Sequence, residues 1–495
     1  MTKTIDLPIV ICGETKYPGK NPIVLHYEND VEVRITRPTP EDFEQIFSYN
    51  EPLHEVSIAK VSRYLSTFGQ YFSNPDNPLR CEAVSLSADI TGYHEKMLAR
   101  DYGIISAFLS ARFSSYDLVD SELGNGEIMD EWIRRGVARV KAFPRGRALH
   151  ILVGNVPLTG IYSVFRSVLT KNQTVAKLPA RDIVSTLYFV RGLIEANSDG
   201  TPYRSRLNSS LSALYLDGES TELKKLIEAS DVVCAWGKGN SLKRVKEKVS
   251  YATPYLEFGP KRSFALIYPN DCDLDEAAVR LAHDVSLYDQ EACVCPQRLF
   301  VKGPYKELVE RLTYWLEWQA HALPRGVSNS DVESHIQRTE MEARYRGWPM
   351  VTGDPAWRVI VCDPFDVGDH PLGRTLFVHP IESESEILPF VDEETQAVSV
   401  YPYDDRVKRL GDMLCAAGVS KLCETGMVMY PREGWTHDGM YPLQHFVRMC
   451  YLDENMSWEY KYQDKESAIS FLDNMYGHPQ EDYERFLKLF PVDEF

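Results

Sequence analysis

A cysteine, Cys293, stands in a part of the chain where a thiol can act as a nucleophile. It follows a stretch with helical spacing of apolar residues, 274–287, and precedes a short apolar run, 298–301, that is typical of a strand. A thiol held between a helix and a strand can face a cleft, where a helix end, an amide or a nearby charge lowers its pKa so that it attacks a carbonyl carbon. Because isolated cysteines are more often buried packing residues, this interpretation needs support from other segments.

Composition excludes several classes of protein. The chain has 495 residues and a net charge of −18, and a surface of that sign repels nucleic acid. Its 10 cysteines form no CxxC pair, which disfavours a zinc or disulfide scaffold, so we expect no metal site. No apolar stretch reaches the ~20 residues of a membrane helix. The first residues lack a signal-peptide pattern, and we therefore expect a cytoplasmic protein.

The elements that must position Cys293 alternate between strand and helix. Short apolar runs and amphipathic stretches alternate from 148 to 248, and the alternation resumes at 263. This pattern predicts parallel sheets covered by helices, with ligands bound beyond the carboxyl ends of the strands. Upstream, the spacing of apolar residues predicts helices over 93–109 and 128–140. The stretch 322–372 has no clear pattern.

The chain resembles the aldehyde dehydrogenase superfamily and, within it, the fatty acyl-CoA reductases of bacterial luminescence operons. The resemblance to the superfamily lies in these segments, which occur in its order: Leu152-Val153-Gly154-Asn155-Val156-Pro157-Leu158, 174–177, Leu256-Glu257-Phe258-Gly259 and 290–298. Longer matches favour the luminescence subgroup: 128–133, 140–160, Ala235-Trp236-Gly237, 258–261, parts of 289–293 and parts of 437–444. So many matches in one order are a specific signal.

The resemblance implies an α/β, aldehyde dehydrogenase-like fold. It implies a Rossmann-type cofactor-binding domain over 1–261, an α/β catalytic domain over 262–434, and a C-terminal segment, 435–495, that returns to the first domain. It also implies a β-hairpin near 138–149 through which members of the superfamily form dimers or tetramers. A homo-oligomer is therefore expected.

The resemblance also implies a reaction. Cys293 would take an acyl group from a thioester, while the Asn155 side chain and the Cys293 backbone N–H would stabilise the oxyanion; losing one such donor costs ~3 kcal/mol. Hydride from NADPH would then release the acyl group as an aldehyde. We expect a long-chain acyl-CoA reductase acting on acyl-CoA or an acylated protein, with an acyl-protein synthetase and an acyl-transferase as partners. The acyl chain is selected by pocket shape, which these motifs do not describe.

The same resemblance points to the cofactor-binding residues. Lys177 would reach the ribose hydroxyls of the adenosine, and Trp236 and Gly237 would lie beside the cofactor. NAD-preferring relatives usually carry a Glu three residues after the lysine, where it would repel a 2′-phosphate. Ala180 stands there instead, followed by Arg181, which favours NADPH. The glycines at 237 and 239 could form a phosphate cradle, but a plain turn accounts for them equally well.

Glu257 keeps an alternative open. It occupies the position of the general base in hydrolytic aldehyde dehydrogenases, so the chain could instead oxidise aldehydes to acids. A catalytically silent scaffold is a third hypothesis, which the joint presence of Cys293, Asn155 and Lys177 disfavours. The superfamily uses no relay to its cysteine, so we expect 437–438 to lie in a loop that closes over the substrate channel.

Overall fold

The structure, a computed structural model, describes residues 2–453 except 111, 137, 328, 329, 431 and 433, and also residue 470; for 112–115 it describes the backbone alone. The chain opens with short strands that divide between two sheets. They are β1 (Lys3–Leu7), β2 (Ile9–Ile11), β3 (Glu14–Lys16), β4 (Ile23–Tyr27) and β5 (Val31–Ile35). β1, β5 and β4 form a small separate sheet, whereas β2 and β3 extend the edge of a larger one.

A helical layer follows these strands. Its members are α1 (Pro40–Ser48), α2 (Ile58–Ser73), α3 (Pro78–Thr91), α4 (Glu95–Ser110) and α5 (Arg112–Leu123). α2 buries Val61, Leu65, Phe68 and Phe72 at helical spacing, which drives its packing against other helices, most extensively α4. The helix predicted over 93–109 is therefore confirmed as α4.

The helix predicted over 128–140 is wrong. After a turn, the chain there forms β6 (Ile133–Arg135) and β7 (Ala138–Pro144), which pair antiparallel. The apolar residues Ala138, Val140 and Ala142 alternate with charged residues, so their period is two and they face one side of a strand.

The first large sheet confirms the alternation predicted from 148 to 248. Its further strands are β8 (Arg147–Ile151), β9 (Gln173–Leu178), β10 (Leu211–Tyr215), β11 (Val232–Trp236) and β12 (Tyr255–Phe258). The helices between them are α6 (Pro157–Leu169), α7 (Ser185–Ala196), α8 (Pro202–Ser209), α9 (Thr221–Glu228) and α10 (Gly239–Lys246). In the order β12-β11-β8-β9-β10-β2-β3, the strands β8 to β12 run parallel, and β8 lies at the centre of these five. Their carboxyl ends therefore lie along one edge.

The second large sheet begins shortly after the first ends. Its strands are β13 (Arg262–Ile267), β14 (Pro296–Lys302), β15 (Met350–Gly353), β16 (Trp357–Val361), β17 (Thr375–Ile381), β18 (Thr395–Tyr401) and β19 (Lys421–Glu424). They lie in the order β15-β16-β17-β14-β13-β18-β19, with only β15 antiparallel to its neighbour among the described strands. Its helices are α11 (Leu274–Ser286), α12 (Tyr305–Ala322), α13 (Ser330–Arg346) and α14 (Arg406–Ala416). The first large sheet ends along the chain with β12 at Phe258 and the second begins with β13 at Arg262, while the division into domains after residue 261 and the roles of those domains stay predictions.

The hairpin predicted near 138–149 is not formed as such. The last described elements are α15 (Leu443–Phe446) and β20 (Val447–Asp453), and β7 pairs with β6 and β20 rather than with β8. The chain leaves this sheet at Gly146, where an added Cβ would overlap the Asp231 carboxylate at 2.2 Å, and enters the first large sheet as β8. Of the predicted C-terminal segment, 454–469 and 471–495 lie outside the described residues.

None of the helices in the described ranges is both long enough and apolar enough to cross a bilayer.

Candidate active site

A cleft with a volume of about 870 Å³ lies beyond the carboxyl ends of β8, β9, β11 and β12. Residues that directly follow these strands form one wall, and residues 290–294, ahead of β14, form the other. Residues from both large sheets therefore meet here, as expected for ligand sites at the ends of parallel strands. The cleft contains Cys293 and Asn155.

A strained turn leads into Cys293. Tyr288, Asp289 and Gln290 have φ angles of 46°, 51° and 68°, so three successive non-glycine residues adopt the left-handed conformation. Such a residue costs of order 1–3 kcal/mol and persists only where its surroundings hold it. The turn must therefore be fixed by contacts from elsewhere in the fold.

The second large sheet provides those contacts. Arg374, almost fully buried, donates from Nε to the Asp289 carboxylate at 2.7 Å. The Gln290 amide donates to the carbonyls of Pro296 and Thr375 at 2.9 and 2.8 Å. These bonds tie the turn to the ends of β14 and β17, so that the position of Cys293 is set by the second large sheet.

Cys293 is half-buried, and it borders the cleft. Burial raises the pKa of its thiol to about 12, and the charge of Asp438 contributes to the rise. Its carbonyl accepts a hydrogen bond from Ser263 Oγ at 2.7 Å, which holds the backbone on β13. A thiol with this pKa is protonated at neutral pH.

Asn155 presents its amide to the same cleft. Its side-chain Nδ2 donates to the backbone carbonyl of Glu291 at 2.9 Å. The backbone carbonyl of Asn155 accepts from the Tyr93 hydroxyl at 2.6 Å. An amide group carries two N–H donors, so the second one remains for an oxygen in the cleft. The turn before it is tight: a Cβ on Gly154 would come within 2.6 Å of the Asp182 backbone nitrogen.

Glu257 is not among the described residues that line this cleft, and its role as a general base stays a prediction. On β12 its neighbours Leu256 and Phe258 are buried, whereas the Glu257 side chain is 45% exposed. Its carboxylate lies 3.3 Å from Nζ of Lys246 on α10. The reason is the two-residue alternation of a strand, which turns Glu257 to the face opposite its neighbours.

Lys177, Trp236 and Gly237 line the cleft at the strand ends. Lys177 lies at the end of β9 with Nζ over the Tyr215 ring, 5.4 Å from its centre, and burial lowers its pKa. Among the described residues no carboxylate lies within 4.0 Å of this ammonium group. Trp236 stacks on Phe258 with ring centres 4.0 Å apart. An unpaired cation beside an aromatic wall can receive a negatively charged ligand.

Arg181 lies at the cleft but is already paired. Two of its nitrogens, Nη1 and Nη2, each lie 2.6 Å from an oxygen of the Glu291 carboxylate, a bidentate bond. Glu291 is two residues before Cys293, so Arg181 holds the segment that carries this cysteine. In this arrangement its charge is not free for a cofactor phosphate.

Comparison with known proteins identifies the family of this chain. The sequence model of the acyl-CoA reductase (LuxC) family matches residues 53–449. The chain belongs to the acyl-CoA reductase (LuxC) family. Similar members include the long-chain acyl-protein thioester reductase of Aliivibrio fischeri, 32% identical over 85% of this chain and 87% of that protein. The protein of the same description from Vibrio harveyi is 30% identical over 89% of this chain and 92% of its own length.

Solved structures extend the likeness to the fold of this LuxC-family chain. A lactaldehyde dehydrogenase superimposes with a TM-score of 0.69 at 14% identity, covering 91% of this chain and 99% of the other. A 1-pyrroline-5-carboxylate dehydrogenase from Thermus, solved with bound NAD, gives 0.69 at 14% identity, with coverage of 91% and 93%. The predicted aldehyde dehydrogenase-like fold is confirmed.

Two further residues of this LuxC-family chain lie beside Cys293: Gln396, which belongs to no matched segment, and Asp438, whose matched segment indicated only a loop over the channel. Gln396, buried on β18, donates from Nε2 to the Asp438 carboxylate at 2.6 Å, and both residues line the cleft with Cys293. Asp438 lies in a turn with a φ of 51°, and its side chain borders the cleft. Burial lowers the pKa of the adjacent His437 well below its ordinary value, so its ring is neutral and packs on Phe258. Only folding brings 396 and 438 to the cysteine.

We expect Asp438→Asn to lower the pKa of the Cys293 thiol. The aspartate charge disfavours the thiolate, so its removal stabilises the thiolate, and asparagine tolerates the left-handed conformation at 438. The rate of Cys293 alkylation by iodoacetamide, followed by mass spectrometry against pH, should reach its midpoint at lower pH. Glu257→Gln removes a carboxylate outside the cleft and should leave the profile unchanged. An unmoved or raised midpoint in Asp438→Asn contradicts this assignment.

Proposed function

We propose that this protein reduces a fatty acyl thioester, carried by coenzyme A or by a protein, to the aldehyde through an S-acyl intermediate on Cys293, with NADPH as the hydride donor. The observation that carries the proposal is the meeting of the Cys293 thiol and the Asn155 amide in one cleft at the strand ends. The names of its relatives, long-chain acyl-protein thioester reductases, support the substrate class.

The residues of the chain account for acyl transfer. The sulfur of Cys293 attacks the thioester carbonyl, a new C–S bond forms, and the carrier thiol leaves with the proton that Cys293 gives up. The exchange of one thioester for another is nearly balanced in energy. Asn155 donates its second N–H to the oxyanion, while its first, on the Glu291 carbonyl, keeps the amide oriented.

The residues along the cleft fit a nicotinamide dinucleotide. The backbone is open at the turn before α10: a Cβ on Gly239 would meet nothing within 4 Å, and one on Gly237 would meet only Ser241 at 3.7 Å. Lys177 and this turn would hold the ribose and phosphates. The cofactor supplies a hydride to the acyl carbon. Ala180 is exposed at the cleft and has no carboxylate to repel a 2′-phosphate, which favours NADPH.

Further features of the proposal follow from the family. The protein partners would be an acylated protein, an acyl-protein synthetase and an acyl-transferase, in the cytoplasm. The sheet of β6, β7 and β20 would carry the contacts of a homodimer or tetramer. Its β20 edge exposes the large apolar residues Tyr451 and Leu452, as expected of a surface that another subunit covers.

Intact mass spectrometry tests the reaction and its direction. The protein is mixed with a long-chain acyl-CoA and then with NADPH. We expect an acyl adduct on Cys293 that disappears as aldehyde is released. Release of the free acid in place of aldehyde, or the absence of an adduct, overturns the proposal.

We expect Glu257→Gln to change the rate of aldehyde formation by no more than about twofold, because an exposed carboxylate outside the cleft has little influence on it. A dehydrogenase that used Glu257 as its base would lose acid formation in this variant. Both rates are followed by nicotinamide absorbance, with acyl-CoA in one direction and aldehyde in the other. Lys246→Gln breaks the same ion pair from the other side and serves as the control. A tenfold or greater loss confined to Glu257→Gln contradicts the placement.

A further inference from the structure

A cation on α6, Arg166, lines the cleft and has no partner among the described residues. Arg166, on α6, is 8% exposed and borders the same cleft as Cys293. Among the described residues none accepts a hydrogen bond from its side chain, and none forms an ion pair with it within 4.0 Å. A buried guanidinium group loses its hydration, which costs several kcal/mol unless an acceptor replaces the water. An acceptor inside the cleft would satisfy it.

The groups nearest to Arg166 do not supply that acceptor. The Tyr162 hydroxyl, one turn earlier on α6, is buried and also has no hydrogen-bond partner. Glu122, on α5, is a weak counter-ion, because burial raises its pKa to about 7 and one of its oxygens already accepts from the Leu443 N–H at 2.7 Å. Asp438, the other acid whose charge reaches Arg166, bonds to Gln396. This part of the cleft therefore has donors in excess.

The walls around these donors are apolar. Phe108, Leu118 and Phe165 line the same part of the cleft, and the Tyr162 ring meets Phe108 edge to face with centres 5.6 Å apart. An occupant that matches both features has a hydrocarbon body and an oxygen acceptor at some distance from the reacting carbon. A plain alkyl chain would fill the walls but leave Arg166 and Tyr162 unpaired.

We propose that Arg166 and Tyr162 bind a carboxylate on the distal part of the acyl group, so that the preferred substrate is an acidic acyl thioester rather than a plain alkyl one. This inference rests on the proposed reduction of acyl thioesters. The thioester carbonyl lies at Cys293 and the distal carboxylate at Arg166, so the best chain length reports the span between them.

The test compares thioesters of N-acetylcysteamine, which carry no phosphate. One series has unbranched alkanoyl chains of six to fourteen carbons, and the other has ω-carboxyalkanoyl chains of the same lengths. For the wild type we expect kcat/KM to favour the ω-carboxy chain at its best length by roughly tenfold to a hundredfold, the range of a charge-assisted hydrogen bond. Arg166→Met keeps the length of the side chain without its charge and should reverse the preference. Tyr162→Phe should reduce it.

Leu118→Ala is the control, because it removes only apolar volume from the wall and should affect both series alike. A wild-type preference for alkanoyl chains at every length overturns the proposal. So does an Arg166→Met variant that weakens both series equally, which would indicate a structural role. An effect of Arg166→Met on coenzyme A thioesters that spares the N-acetylcysteamine thioesters would assign the arginine to the carrier phosphate instead, and also overturns it.

A binding measurement separates this inference from the proposed function. Titration calorimetry on the Cys293→Ala protein compares dodecanedioic acid monomethyl ester with methyl dodecanoate, which lacks the carboxylate. We expect the first to bind more tightly, and the difference to vanish when Arg166→Met is added. If no thioester of either series acylates Cys293 in the wild type, the proposed function fails, and this titration still decides on the site at Arg166: equal binding of the two probes overturns it.

Discussion

Replacing Cys293 with alanine is expected to abolish acyl labelling and to lower aldehyde formation by about four orders of magnitude or more, the scale on which removal of a covalent nucleophile acts. The sulfur forms the bond that holds the acyl group in the cleft, and no other described residue among those lining it carries a thiol. Intact mass spectrometry with acyl-CoA measures the labelling, and gas chromatography measures the aldehyde.

Cys295 provides a matched control for this prediction. It lies two residues further on, is fully buried, and its Sγ contacts the Leu287 carbonyl at 3.4 Å. Burial raises the pKa of its thiol well above the ordinary value, so it is an inert packing residue. We expect Cys295→Ala to keep both labelling and aldehyde formation. An acyl label on the Cys295 peptide, or undiminished aldehyde from Cys293→Ala, would show that the nucleophile is wrongly assigned.

The second large effect is expected from Asn155→Ala, which should slow acylation of Cys293 by roughly a hundredfold to a thousandfold, as the loss of an oxyanion donor does elsewhere. The variant removes the N–H that faces the cleft and also the one bound to the Glu291 carbonyl. The ground state of the thiol should change little, because the Asn155 amide bonds to the Glu291 carbonyl and not to the sulfur. The slowing should therefore appear in the transition state of acyl transfer.

Two rates on the same variant distinguish this role from a structural one. Rapid-quench mass spectrometry follows acylation by acyl-CoA, which passes through an oxyanion. Alkylation by iodoacetamide uses the same sulfur without one. We expect only the first to fall in Asn155→Ala. If both fall together, the substitution has displaced the nucleophile loop, and the oxyanion role is refuted.

The placement of the main site residues could be predicted from the sequence because it depends on local patterns. Apolar runs separated by amphipathic stretches determine parallel strands, and the ends of such strands converge on one edge. Asn155 and Lys177 follow or end β8 and β9, and Cys293 precedes β14, so their positions along the chain already indicated a shared cleft. Family resemblance added the roles.

Side-chain direction and partner choice could not be predicted in the same way. Glu257 has the position of a base in the motif, yet the alternation of β12 turns it outward to Lys246. Arg181 looks free in the sequence, but folding brings Glu291 to it from 110 residues away. The spacing of apolar residues over 128–140 predicted a helix, because the local sequence does not show that β7 pairs with the distant strand β20.

The amino-acid sequence by itself determined the alternation of strands and helices from 148 to 248, the cysteine and the amide, because these depend on spacing within a few residues. Only the tertiary structure decided which groups surround Cys293. Arg374 holds the turn before it, and Gln396 and Asp438 form a pair beside it. Arg166 lies further along the cleft, without a partner among the described residues. Their contacts depend on how two sheets and a helical layer pack, and burial then sets their charges and pKa values. The spacing of residues along the chain does not determine these contacts between distant segments.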